Sequence, residues 1–234
     1  YHLSEIRLVG FTVRQLTETG YMTAEVREGV DRTAETLAQL KDAGYTVAEM
    51  RRAGYSVVQL RDVGLSAGGM RHFGYTAKEM REGGYSIGEL KGAGYTAMQM
   101  RETGCSIVQL KDAHYTTEQL KDAGYSAKEM REAGYSSKAL DDGGYVARQM
   151  WEAGYSAKEL KYIGYTSKEL WEAGYRIEEL KDCGYLAKQM RENGHSFQAL
   201  YDAGYSVDQL KSGGYTRKEI ADCWLQRYGA KASW

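Results

Sequence analysis

Gly124-Tyr125-Ser126-Ala127-Lys128-Glu129-Met130-Arg131-Glu132-Ala133 is one unit of a pattern that returns every ten residues from Gly44 to Gly214. Its order has a mechanical reading. Ser126 and Glu129 have the spacing of a capping box, in which the hydroxyl accepts from a first-turn N–H and the carboxylate reaches back to the cap. Tyr125 precedes the cap and Met130 falls at the fourth helical position, the two ends of a hydrophobic staple. Gly134 then takes the left-handed place just past the helix. Tyr135 follows where a Schellman motif sets a contact back onto Met130. Each Tyr is therefore expected to touch two successive helices, its hydroxyl reaching solvent or a backbone carbonyl.

The copies hold these positions tightly. Of eighteen, the stop is Gly in 17, with His114 the exception, and the next residue is Tyr in 15, broken by Leu65, Cys105 and His195. Ser or Thr caps 15, Glu or Gln follows three residues later in 15, and the staple position is Leu, Met or Ile in all. Such regularity defines a tandem repeat before any other feature is read. Each helix has under two turns, and helices shorter than about 12 residues are marginal alone. Ala127, Met130 and Ala133 make one apolar stripe, so neighbouring helices must complete the core. The fold class expected is all-α, a solenoid of ten-residue helix-turn repeats. His114 is expected to sit left-handed, a region His tolerates better than most residues.

The array resembles a tandem short-helix, or decapeptide, repeat solenoid. Each Gly-Tyr-Ser-x-x-Glu-Leu turn resembles the junction between the first two helices of helix-turn-helix proteins, which implies crossings near 90–120°. A longer period is also visible. Every third copy reads Ala67, Ala97, Ala127, Ala157, Ala187 with Met70, Met100, Met130, Leu160, Met190, and the next column reads Val57, Ile87, Thr117, Ala147, Ile177, Val207 mostly with Leu. Small residues go with long ones, as close packing requires. This 30-residue superperiod predicts three short helices per coil, which would set Trp171 beside Tyr201, with duplication of a 30-residue block as the competing explanation.

The ends depart from the pattern. Residues 1–43 are expected to hold N-terminal capping and divergent repeats. There Gly10-Phe11 and Gly20-Tyr21 continue the theme, and a longer helix turns Leu37 and Leu40 inward. Residues 44–216 form the regular array. Residues 217–234 form a C-terminal capping helix that runs past Trp224 to Tyr228 and stops at Gly229. The whole is read as one continuous domain.

Composition narrows function. With 31 basic and 32 acidic residues, nothing in bulk charge favours nucleic acid or an anionic membrane. No apolar run nears the roughly 20 residues of a membrane span, and no signal-peptide pattern is visible. Cys105, Cys183 and Cys223 make no CxxC pair and read as buried thiols, which favours a reducing compartment such as the cytoplasm. No metal spacing or cofactor motif is read. The Gly residues are helix stops, the Ser and Thr caps and the Glu capping partners, so no enzyme is expected. The leading expectation is a structural scaffold mediating protein–protein interaction. A self-assembling rod is the alternative. A modular nucleic-acid reader is disfavoured, because Glu102, Glu129, Glu132, Glu159 and Glu192 interleave with Lys128, Lys158, Lys188 and Lys218 and with Arg71, Arg101, Arg131 and Arg191, an arrangement that reads as helix-surface pairs. The candidate partner surface is the set of aromatics that break the charged columns: Trp151, Tyr162, Trp171 and Tyr201.

Overall fold

The computed structural model describes residues 46–52 and 55–229, with 37, 38 and 41. Of the expected longer helix before Gly44 only residues 37, 38 and 41 are described, all helical with Leu37 fully buried, and the first divergent repeats lie outside the described residues. Among the described residues the chain is helical without strands.

Helices begin every ten residues: α1 Val47–Arg52, α2 Val57–Asp62, α3 Ala67–His72, α4 Ala77–Glu82, α5 Ile87–Gly92, α6 Ala97–Glu102 and α7 Ile107–Asp112. They continue as α8 Thr117–Asp122, α9 Ala127–Glu132, α10 Ser137–Asp142, α11 Ala147–Glu152, α12 Ala157–Tyr162 and α13 Ser167–Ala173. The last are α14 Ile177–Asp182, α15 Ala187–Glu192, α16 Phe197–Asp202, α17 Val207–Ser212 and α18 Arg217–Tyr228. The chain divides into two compact units, Tyr1–Tyr115 and Thr116–Trp234.

The local chemistry follows the sequence. At α9 the Glu129 N–H donates to Ser126 Oγ at 3.2 Å and the Ser126 N–H to Glu129 Oε2 at 2.7 Å. The helix ends with Tyr135 N–H on Met130 O at 3.1 Å and Gly134 N–H on Arg131 O at 2.9 Å, the paired bonds of a Schellman motif. Gly134 has φ +77°, and His114, at the same place after α7, has φ +64°. The expected run-on is present too, since α18 passes Trp224 and ends at Tyr228 before Gly229.

The coil is where expectation fails. In the first unit α2 packs on α4, α3 on α5 and α4 on α6. In the second α9 packs on α11, α11 on α13, α13 on α15 and α15 on α17, while α8, α10, α12 and α14 make the other row, continued by α16 on α18. Alternate helices stack, so a coil contains two helices and twenty residues, not three helices and thirty. The Tyr hydroxyls fix this register. Tyr95 OH donates to Tyr75 O at 2.5 Å, Tyr115 to Tyr95 O at 2.7 Å, Tyr145 to Tyr125 O at 2.6 Å and Tyr205 to Tyr185 O at 2.8 Å. Each bond spans twenty residues and ties one turn to the turn a coil below.

Volume compensation exists, but between other positions than a 30-residue column suggests. The first helical residue faces the C-cap residue 26 positions on. A Cβ placed on Gly83 would come 2.2 Å from Val57 Cγ1, and one on Gly143 would come 2.5 Å from Thr117 Cγ2. Val57 and Thr117 thus sit opposite Gly, as does the small Ala187 opposite Gly213. Elsewhere the same pair is small on both sides, as in buried Ala127 and Ala153.

Candidate functional site

The fifth helical position is where the candidate surface departs from the repeat. It is Lys or Arg in most repeats, and its side chain crosses to the turn one coil away. Arg71 Nη1 donates to Ala93 O at 3.0 Å, Arg131 Nη1 to Ala153 O at 2.9 Å and Lys161 Nζ to Gly184 O at 2.8 Å. Lys91 and Arg191 reach His114 O and Gly214 O in the same way. The cation therefore meets the carbonyl end of a helix, where the macrodipole is negative. It also lies over the Tyr of that turn: Arg51 is 4.3 Å from the Tyr75 ring centre, Arg131 5.0 Å from Tyr155 and Lys161 4.6 Å from Tyr185. The capping-box carboxylate 28 residues on can close the slot, with Arg51 at 3.0 Å from Glu79 and Arg191 at 3.5 Å from Glu219.

This corrects the reading of the basic columns as helix-surface pairs. That reading describes the second helical position, where Arg148 pairs with Glu152 at 3.3 Å and Lys168 with Glu172 at 3.9 Å. Arg71, Arg131 and Arg191, at the fifth position, are instead committed to a neighbouring coil.

Trp151, Trp171 and Tyr201 occupy that fifth position. Trp151 on α11 and Trp171 on α13 fall on successive coils of one row, and both remain exposed, at 38% and 46%. The Trp151 indole lies over the next turn of its row, 3.3 Å from where a Cβ of Gly174 would be. Guanidinium groups hold the same place over Gly84, Gly94 and Gly154. Trp171 meets His195 edge-on at 4.8 Å. His195 replaces the ladder Tyr. It is buried, and its Nε2 has no hydrogen-bond partner among the described residues. Burial also holds the imidazole below its ordinary pKa.

The expected neighbours Trp171 and Tyr201 are not neighbours, because α13 and α16 belong to different rows. Tyr201 is half-buried, stacked on Phe197 at 5.8 Å and edge-on to Trp224 at 5.5 Å. It belongs to the packing of α16 on α18. Tyr162, at the end of α12, is 91% exposed and stands apart from the Trp pair. The candidate partner surface thus contracts to Trp151 and Trp171.

An open groove of about 500 Å³ adjoins Trp151, lined also by Tyr155, Lys158, Tyr175, Glu179, Asp182 and Cys183. The equivalent groove occurs in the first unit, where Arg61, Leu65, Gly68, Tyr85, Glu89, Gly92 and Ala93 take the corresponding places. The groove is a property of the repeat, and Trp151 changes its wall. Burial raises the Tyr175 hydroxyl pKa, with Glu159 and Glu179 adding to the shift. Burial also raises that of the Cys183 thiol. Among the described residues no group of three or more His, Cys, Asp or Glu could hold a metal ion, and no helix is long and apolar enough to cross a membrane.

The family model described as Decapeptide repeat region matches residues 35–102, 94–167 and 144–217, and the chain belongs to that family. No curated protein matches the sequence at a significant level.

Proposed function

We propose that this decapeptide-repeat array is a non-catalytic scaffold that presents the Trp151–Trp171 edge to a protein partner. The observation that carries the reading is the pairing of two exposed indoles on successive coils, at a position where other repeats place a cation serving the fold. Trp is the residue type most typical of binding hot spots. The groups that could suggest catalysis are occupied otherwise: Ser126, Thr166 and Ser156 cap helices, and Glu129, Glu169 and Glu159 complete the capping boxes.

The test is comparative capture from a cell extract by the wild-type chain and by a Trp151→Arg, Trp171→Arg double variant. Arg is native to this position in Arg131 and Arg191, so circular dichroism should not change. The proposal predicts proteins retained by the wild type and lost by the variant. Identical captured sets would overturn it. Light scattering on the same pair across a wide concentration range separates the alternative: a Trp-dependent rise in mass would make a second copy the partner.

A further inference from the structure

The cation slot has four recurring parts: the terminal carbonyls of a helix, a Gly turn, the face of the following Tyr and a capping-box carboxylate. Arg51 uses the set fully, bonding Phe73 O at 3.2 Å, covering Tyr75 and pairing with Glu79. Counting the same offsets from Trp151 gives Ala173, Gly174, Tyr175 and Glu179. The Gly turn, the Tyr face and the carboxylate are all present there, with Arg176 in the capping place and its Nε 3.6 Å from Glu179 Oε2. At Trp171 the corresponding residues are His195 and Ala199, so both the aromatic hydroxyl and the carboxylate have changed with it. The two indoles are therefore not equivalent. One faces a slot built for a cation and the other does not.

The turn records the substitution. Gly174 has φ +113° and Gly164, which follows the Asp141 repeat, has φ +109°. The other glycine turns of the array lie between +75° and +92°, Gly194 beside Trp171 among them. The groove wall combines Trp151, Tyr155 and Tyr175 with the carboxylates of Glu179 and Asp182, against one rim cation, Lys158. Aromatic faces with carboxylates are the chemistry that recognises ammonium and guanidinium groups. The nearest cation of its own helix, Arg148, lies 5.6 Å from the indole centre, is tied to Glu152 and does not line the groove.

We propose that the groove beside Trp151 receives an Arg or Lys side chain of a partner protein, held against the indole that stands where other repeats keep their own Arg or Lys. This rests on the scaffold reading and names the chemistry of its partner. An acidic or purely apolar partner would gain nothing from Glu179 and Asp182.

The experiment is calorimetric titration of the full chain with an acetylated, amidated tetra-arginine peptide, and with tetraglutamate as the opposite charge. Trp151→Arg removes the indole face and sets a cation on the groove wall, as Arg61 does in the first unit, and should weaken tetra-arginine binding by about tenfold or more, the scale of a desolvated cation–π contact with a charge-assisted bond. Ser212→Arg, on α17 further along the same row, adds the same charge and should leave binding nearly unchanged. Glu179→Gln keeps the bond accepted from the Arg176 N–H, as Gln149 and Gln189 do from Val146 and Leu186, and should weaken binding severalfold. Absence of tetra-arginine binding, equal weakening by Trp151→Arg and Ser212→Arg, or equal binding of tetraglutamate would each overturn the proposal. Such a result alongside Trp-dependent capture from extract would leave the scaffold reading standing and remove only the cation.

Discussion

Gly143 offers a sharp test of how the coils meet. It is the C-cap of α10 with φ −81°, a conformation any residue adopts, so Ala there carries no backbone strain. What Ala would meet is Thr117 on α8, with Cγ2 at 2.5 Å, Cβ at 2.7 Å and the backbone carbonyl carbon at 3.2 Å. Forcing a methyl into such a contact costs about 1–3 kcal/mol. Removing a Gly from the unfolded chain returns about 0.4–1 kcal/mol. Gly143→Ala should therefore destabilise by about 1–2 kcal/mol net. Thr117→Ala alone should cost little, because the site is already half-exposed. In the double variant most of the Gly143→Ala penalty should vanish, since Ala127 with Ala153 shows that the coils accept two methyls here. Urea unfolding of the four proteins gives the coupling, read from midpoints at constant slope. A coupling energy near zero would mean that residues 26 apart do not touch, and the two-helix coil would be wrong.

Tyr145→Phe should cost about 1–2 kcal/mol, because it strips the buried Tyr125 carbonyl of its hydroxyl partner. Tyr162→Phe, at an exposed site, should cost nothing measurable by the same urea assay, and equal losses would refute the ladder. His114→Gly should raise the melting temperature through a gain of about 1 kcal/mol or less, by relieving a left-handed non-Gly residue. Lowered stability would show that the His114 side chain has a separate role. Burial pushes the hydroxyls of Tyr115, Tyr145, Tyr185 and Tyr205 from 10.0 up to about 12. Their contribution is complete below pH 10 and is lost as pH rises towards 12, so the melting temperature should fall across that window. On the acid side Glu79, Glu89, Glu159, Glu169 and Glu219 lie below 4.5, held down chiefly by hydrogen bonds from their capping Ser or Thr. Their contribution is present above 4.5 and disappears as pH falls below it, and a flat melting curve there would remove the capping-box argument.

Local structure was legible because each element is decided within about ten residues. Ser126, Glu129, Gly134 and Tyr135 each perform the task their spacing implied, and α18 runs past Trp224 to Gly229 as its sequence required. The coil was not legible, for a reason inherent to an exact repeat. When every column recurs at ten residues, a contact between a cation and a Tyr looks the same at an offset of 4, 14 or 24. Only broken copies lift that degeneracy. Val57 opposite Gly83 and Thr117 opposite Gly143 carry the true offset of 26, but a 30-residue column of Ala and Val drew attention elsewhere. A second signal lay in the composition. With 20 Tyr and only 3 Phe, the staple ring consistently carries a hydroxyl that a purely apolar contact does not need. Its partner was the carbonyl of the preceding coil. The candidate surface followed the coil error: Trp171 was matched with Tyr201, whereas two-helix coils match it with Trp151.

The central claim, two helices per coil, is tested most directly by spin labels at the exposed second helical positions of a variant with its native cysteines replaced by Ala. One pair is Arg148→Cys with Lys168→Cys, on α11 and α13, and the other is Arg148→Cys with Glu178→Cys, on α11 and α14. Stacked helices of one row set the first pair on backbones about 8–10 Å apart. The account predicts strong dipolar broadening for 148 with 168 and distinctly weaker broadening for 148 with 178. A coil of three helices reverses that order, and the reversed order would contradict the account.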